Sequence, residues 1–231
     1  VTFLGIRFKR MKPERAHWLL TGANLMVALA AWGVCRLVFG DGYLAQAAFF
    51  VGIMPTATAA PVVMGLLGGS VEFMLTALLL INGIICALLP FILPAVVGRG
   101  GFESYLNVAQ NISLVMLLPL ALALAARRFY PRAIAWPRKL KDVTFGIWVV
   151  ILVLIAANAS YDISSREGIS ERVLEQIGVI ALLVCGVNFG LGYLLGGRTR
   201  AAECSQALGQ KNTTLSIYLA LTYASPIAAL G

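Results

Sequence analysis

Two short stretches concentrate the residues that could do chemistry. Leu208-Gly209-Gln210-Lys211-Asn212-Thr213-Thr214 sets an ammonium group, two amides and two hydroxyls side by side within an apolar run. Met54-Pro55-Thr56-Ala57-Thr58-Ala59-Ala60-Pro61 sets two hydroxyls between two prolines in another. A positive charge among hydrogen-bonding groups suits the binding of an anion such as a carboxylate. Thr56, Thr58, Gln210, Asn212 and Thr213 are the candidates for substrate contact, with Lys211 as the source of charge. A lysine at the centre of a membrane helix costs at least about 2.5–3.5 kcal/mol unless it is paired or hydrated, so Lys211 reads as functional by default.

The elements around these stretches must span lipid. Of 231 residues, 60% are hydrophobic and 12% charged, with a mean hydropathy of +0.87. Soluble domains are about 45–50% apolar and about 25% charged, so one soluble core cannot hide this excess. Continuous apolar runs long enough for the ~20 helical residues that cross a bilayer indicate helices, whereas a membrane barrel would show short alternating segments. The fold class expected is therefore all-α integral membrane protein.

The formal charge of +8 does not indicate nucleic-acid binding. Thirteen of the 18 lysines and arginines fall in three short stretches, Arg7–Arg15, Arg127–Lys141 and Arg198–Arg200. Basic clusters in alternate connections mark cytoplasmic faces, so a multi-pass protein of the cell (inner) membrane is expected, with 7–15, 127–141 and 198–200 on the cytoplasmic side. Cys35, Cys86, Cys185 and Cys204 form no C-x-x-C pair and read as small buried residues, with no metal site.

Residues 1–15 read as the end of a helix and then a basic loop. Spans come next at 16–39, at 43–69 (interrupted at 54–61), and at 70–97. Within 98–160, spans at 104–126 and 143–160 flank the second basic loop. Tyr161–Glu171 is polar and expected on the outer face. A span at 173–196 leads through Gly196-Gly197-Arg198 into a second interrupted segment at 200–224. Lipid supplies no hydrogen bonds, so interrupted helices persist only where the break is covered by protein or lines a cavity. Paired interruptions in corresponding positions of two halves point to an inverted-repeat transporter with its site at the repeat interface. The two half-helix N-termini at such a site would offer unpaired N–H groups to an anion.

Met54-Pro55-Thr56-Ala57-Thr58-Ala59-Ala60-Pro61-Val62-Val63 resembles the C-P-G-G-T-A-S-N-V-V crossing motif of the bile acid:sodium symporter family. Ala207-Leu208-Gly209-Gln210-Lys211-Asn212-Thr213-Thr214-Leu215 resembles that family's E-V-G-M-Q-N-S-G-L motif, and Ser225-Pro226-Ile227-Ala228-Ala229-Leu230 resembles the family's segment C-terminal to that motif. The resemblance implies core and panel domains, two crossing helices (43–69 and 200–224) and organic-anion substrates. It also puts Thr58 and Asn212, which keep the family's polar positions, ahead of Thr56, Gln210 and Thr213 as substrate contacts. It makes 16–97 the first-repeat core, 98–160 the panel and 161–231 the second-repeat core, and it leaves the chain as a fragment lacking the first and last helices.

The same resemblance argues against sodium as a partner. Where the family uses oxygen ligands for the ion, this chain has Ala60, Pro61, Met74, Leu78, Ala207 and Lys211, and hard cations need oxygen. Lys211 would then supply in cis the charge that sodium supplies, its ammonium reaching carbonyls freed by both breaks. A lysine that releases its proton in the cycle would make the proton a partner, and a permanently charged one fits uniport or anion exchange. The alternative for Lys211 is that it snorkels toward water or forms a structural pair with Glu203.

Other functions are set beside this reading. No H-E-x-x-H, G-x-S-x-G or intramembrane aspartate pair is present, so no enzyme and no cofactor is expected. A receptor or sensor on a transporter-like fold would bind without flux. A sodium- or proton-coupled symporter of bile-acid-like or other organic acids is the nearest alternative. Arsenite permeases carry a cysteine where this chain has Thr56, and auxin-carrier-like and malonate-carrier-like proteins share the architecture. Asn24 and Asn188, each within a span, are read as cavity-lining or interhelical, and His17 as an interface residue.

Overall fold

The computed structural model describes residues 12–40, 42–98, 102–130, 171–225 and 227–230, with scattered helical residues between 143 and 161. The expected helix end at 1–6, much of the basic stretches 7–15 and 127–141, and most of the polar stretch 161–171 lie outside the described residues.

The described elements are helices α1 (Arg15–Phe39), α2 (Tyr43–Ile53), α3 (Ala60–Leu66), α4 (Val71–Val97), α5 (Phe102–Phe129), α6 (Glu171–Gly209) and α7 (Thr213–Tyr223), then a 3₁₀ turn at Ala228–Leu230. Three of them, α1, α4 and α6, are long and apolar enough to cross a membrane. The chain is a helical membrane protein. Large apolar side chains point outward along these helices, including Met26, Leu37, Phe91, Leu183 and Leu194, as a lipid-facing surface requires.

Local chemistry sets the ends. Ser70 precedes α4 and its hydroxyl accepts the Phe73 N–H at 3.2 Å, while Gly98 closes the helix at φ 74°. Such caps satisfy groups that a helix end leaves unpaired. α2 stops at Ile53 because Met54 precedes a proline: steric conflict with Pro55 pushes Met54 out of the helical region, to φ −56° and ψ 137°.

α6 folds back on itself. Backbone angles are non-helical at Gly197 (φ 57°, ψ −145°) and Arg200, dividing it into arms 171–196 and 201–209. The arms lie so close that a Cβ on Gly192 would sit 2.5 Å from the Cys204 carbonyl oxygen and one on Gly196 would sit 2.7 Å from the backbone of Ala201. Small residues allow such approach where lipid gives little hydrophobic drive between helices. α1 and α2 use the same device at Gly52, whose missing Cβ would meet Ala28 Cα at 2.6 Å. The main core gathers between these helices around Leu20, Phe49, Phe50, Ile53, Met64, Met74 and Leu208, all fully buried.

A polar cluster ties three elements together at one end. Glu203 is buried and accepts the Ser70 N–H at 3.1 Å and an Arg200 N–H at 3.4 Å. Arg200 also reaches Glu14 at 3.4 Å and lies over the Phe73 ring. His17 is fully buried: Nδ1 accepts the Glu14 N–H at 2.8 Å, and Nε2 donates to the Phe73 carbonyl at 3.1 Å. Glu203 is therefore engaged by Ser70 and Arg200, not by Lys211.

Candidate functional site

The two interruptions meet. Residues 54–59 separate α2 from α3, and residues 210–212 separate α6 from α7. Their backbones pair as a short antiparallel bridge between Thr56 and Lys211. Ala57 N–H donates to the Gln210 carbonyl at 2.8 Å, and Asn212 N–H donates to the Pro55 carbonyl at 2.9 Å. The breaks thereby satisfy each other, which is the accounting a non-helical segment in lipid must meet. The sequence expectation assigned this task to the Lys211 ammonium, whereas main-chain groups on either side of Lys211 perform it.

The ammonium has a different partner. Lys211 Nζ donates to the side-chain oxygen of Asn24 on α1. Asn24 is buried and its Nδ2 donates in turn to the Ile53 carbonyl at 2.8 Å, the last carbonyl of α2. A chain of groups thus runs from the second break through α1 to the edge of the first. Asn24 is an interhelical link, not part of the cavity lining.

Beside the breaks lies a cavity of about 700 Å³. Its apolar wall includes Phe50, Met54, Leu182 and Phe189, and its polar side carries Thr58, Asn188, Gln210, Lys211, Asn212 and Thr213. No carboxylate lines it among the described residues. Thr58 and Thr213 are exposed, while Asn212 also caps α7 by accepting the Leu215 N–H at 3.2 Å.

Thr56 is placed otherwise. It is 1% exposed, lies outside the cavity lining, and its hydroxyl donates to the Ala207 carbonyl at 2.7 Å. It fastens the first break to α6. Of the six residues singled out from sequence, five come together around the cavity and Thr56 does not.

Sequence reasoning missed Cys185 and Ser216, which line the cavity too, as does Thr214 of the second polar stretch. Cys185 is the exposed one of the four thiols, not a buried residue. Cys185 and Asn188 lie three apart on one helix, so the helical repeat carries a signal linking them. Ser216 is one turn beyond Asn212 on α7 and donates to the Phe50 carbonyl at 3.4 Å.

Among the described residues no cluster of three or more histidine, cysteine or acidic side chains could hold a metal. The cavity has hydroxyls, Lys211 and the N-terminal turn of α7 in its lining, a combination that favours negative charge. Compared with protein-family models and with curated proteins, the chain finds no match.

Proposed function

We propose that this chain is part of a secondary transporter of small organic anions of the carboxylate type, built as an inverted repeat with crossing helices 43–69 and 200–224. In this reading, core helices carry the two breaks and panel-type helices fall within 98–160, as in the bile acid:sodium symporters it resembles. The protein sits in the cell membrane with its basic stretches on the cytoplasmic side, where the positive-inside rule puts them.

The observation that carries the reading is the pairing of the two breaks, Ala57 with Gln210 and Asn212 with Pro55, beside a cavity whose described lining includes Lys211 and no carboxylate. Broken helices meeting at a site are the arrangement by which carriers bind a solute between two moving halves. An irregular backbone at such a place has little structural purpose, since an unbroken helix satisfies the same groups more simply.

Sodium is not the coupling ion in this proposal. Lys211 brings a fixed charge to the crossing, and its link through Asn24 to Ile53 supports both breaks from α1. A sodium ion would find the ammonium a repulsive neighbour. The carrier is then a uniporter or exchanger, or is coupled to protons.

The test is the thermal stability of the purified protein against a panel of organic acids, in sodium and in choline buffers. A ligand that binds the folded state raises the midpoint in proportion to occupancy. Equal stabilisation in both buffers is expected. Stabilisation that requires sodium would overturn the sodium-independent reading, and stabilisation by no acid would overturn the anion reading itself.

A further inference from the structure

Two buried hydrogen-bond acceptors in the cavity have no partner among the described residues. Asn188 is 1% exposed on α6 and lines the cavity. Its Nδ2 donates to the Val184 carbonyl at 2.9 Å, which fixes the orientation of the amide and leaves Oδ1 as the unengaged end. That oxygen is buried and unpartnered among the described residues. Gln210, in the second break, lines the same cavity, and its Oε1 is buried and unpartnered too.

Buried acceptors in folded proteins are nearly always paired, and an exception calls for an explanation. Two in one cavity ask for a ligand that donates hydrogen bonds. Amide oxygens can also hold a hard cation, but the described lining of this cavity has no carboxylate and includes the cationic residue Lys211. A metal ion or a ligand ammonium would be repelled there, whereas a neutral O–H group would not. Lys211 meanwhile keeps N–H groups beyond the one given to Asn24, since an ammonium has three.

The geometry points to a small hydroxylated carboxylate as the ligand, its carboxylate held by Lys211 and its hydroxyl hydrogen bonded to Asn188 Oδ1 or Gln210 Oε1. This rests on the reading of the chain as an organic-anion carrier and narrows it. A site built to accept from a hydroxyl rejects the analogue that lacks one, because its acceptor then stays dry and unpaired.

Matched pairs of acids test this on the full chain in detergent, with affinity read by calorimetry: malate with succinate, lactate with propionate, mandelate with phenylacetate. In the pairs that bind, the hydroxylated member is expected to bind at least about tenfold tighter. Asn188→Leu or Gln210→Met is expected to erase that preference, weakening the hydroxylated member by about tenfold more than its unhydroxylated partner. Equal affinities within every binding pair of the unaltered protein would overturn the hydroxyl inference and leave the anion reading standing. So would a preference that survives both substitutions. Stabilisation by sodium chloride over choline chloride without any acid would assign the two oxygens to a cation and overturn the inference. Binding of no acid from any pair would remove the anion reading beneath it.

Discussion

Lys211 donates its ammonium to the side-chain oxygen of Asn24, 187 residues earlier in the chain. Asn24 passes the connection on to the Ile53 carbonyl, so one amide answers both the charge of the second break and the freed carbonyl of the first. The two residues act as a unit, and their effects on stability should not add. Asn24→Leu is expected to cost about 1–3 kcal/mol, since it leaves a buried carbonyl and an ammonium unpaired. Lys211→Met combined with Asn24→Leu should cost less than the sum of the single changes by about 0.5–3 kcal/mol. Unfolding of the four proteins in one detergent checks this, and strict additivity would contradict the linkage.

Thr56 and Thr58 separate structure from binding within one break. Thr56→Val removes the bond to the buried Ala207 carbonyl and should lower stability by about 1–3 kcal/mol while leaving ligand affinity within about threefold. Thr58→Val alters an exposed group on the cavity and should do the reverse. Melting midpoints and binding isotherms on the same preparations distinguish the two.

The fold-back of α6 depends on small residues. Gly192→Ala would place a carbon 2.5 Å from the Cys204 carbonyl oxygen, on backbone that cannot swing aside. A loss of about 1–3 kcal/mol is expected, as for other overpacked sites. Gly186→Ala lies on the same arm with open space around it and should be neutral or slightly stabilising. Equal effects of the two would mean that the arms do not pack as closely as this.

The polar cluster at the end of α6 makes an asymmetric prediction about two carboxylates. Glu203 is buried and holds the Ser70 N–H as well as Arg200, so Glu203→Leu should destabilise by about 1.5–3 kcal/mol. Glu14 meets Arg200 in partly exposed surroundings, where an ion pair contributes about 0–1 kcal/mol, so Glu14→Gln should change little. Thermal unfolding in low and high salt checks both, and a large, salt-sensitive loss in Glu14→Gln would reverse their roles.

These residues show what a sequence can reveal here. The breaks were legible because proline and clustered polar groups cannot continue a lipid-exposed helix unnoticed, and the spans at 16–39 and 70–97 match α1 and α4 closely. The basic stretch at 198–200 marked the turn of α6. The pairing of the breaks was not legible, since the bridge between Thr56 and Lys211 uses main-chain groups that every residue carries. Thr58 was ranked ahead of Thr56 only through the family motif, because in irregular backbone no helical or strand repeat fixes which side chain faces the cavity. Lys211 could be placed at the crossing, but its partner lay on a helix remote in sequence. Asn24 was noticed as a polar residue in a span without any sign of what it held.

Uptake into proteoliposomes tests the central claim most directly. The full chain is reconstituted, and the acid that stabilises it most is supplied in radiolabelled form, with either sodium or choline outside. The proposed carrier should take up the acid at equal rates in both, and Lys211→Ala should lower the rate at least about tenfold, the effect of losing about 1.4 kcal/mol or more of differential interaction. Uptake that needs sodium and is unchanged in Lys211→Ala would contradict it.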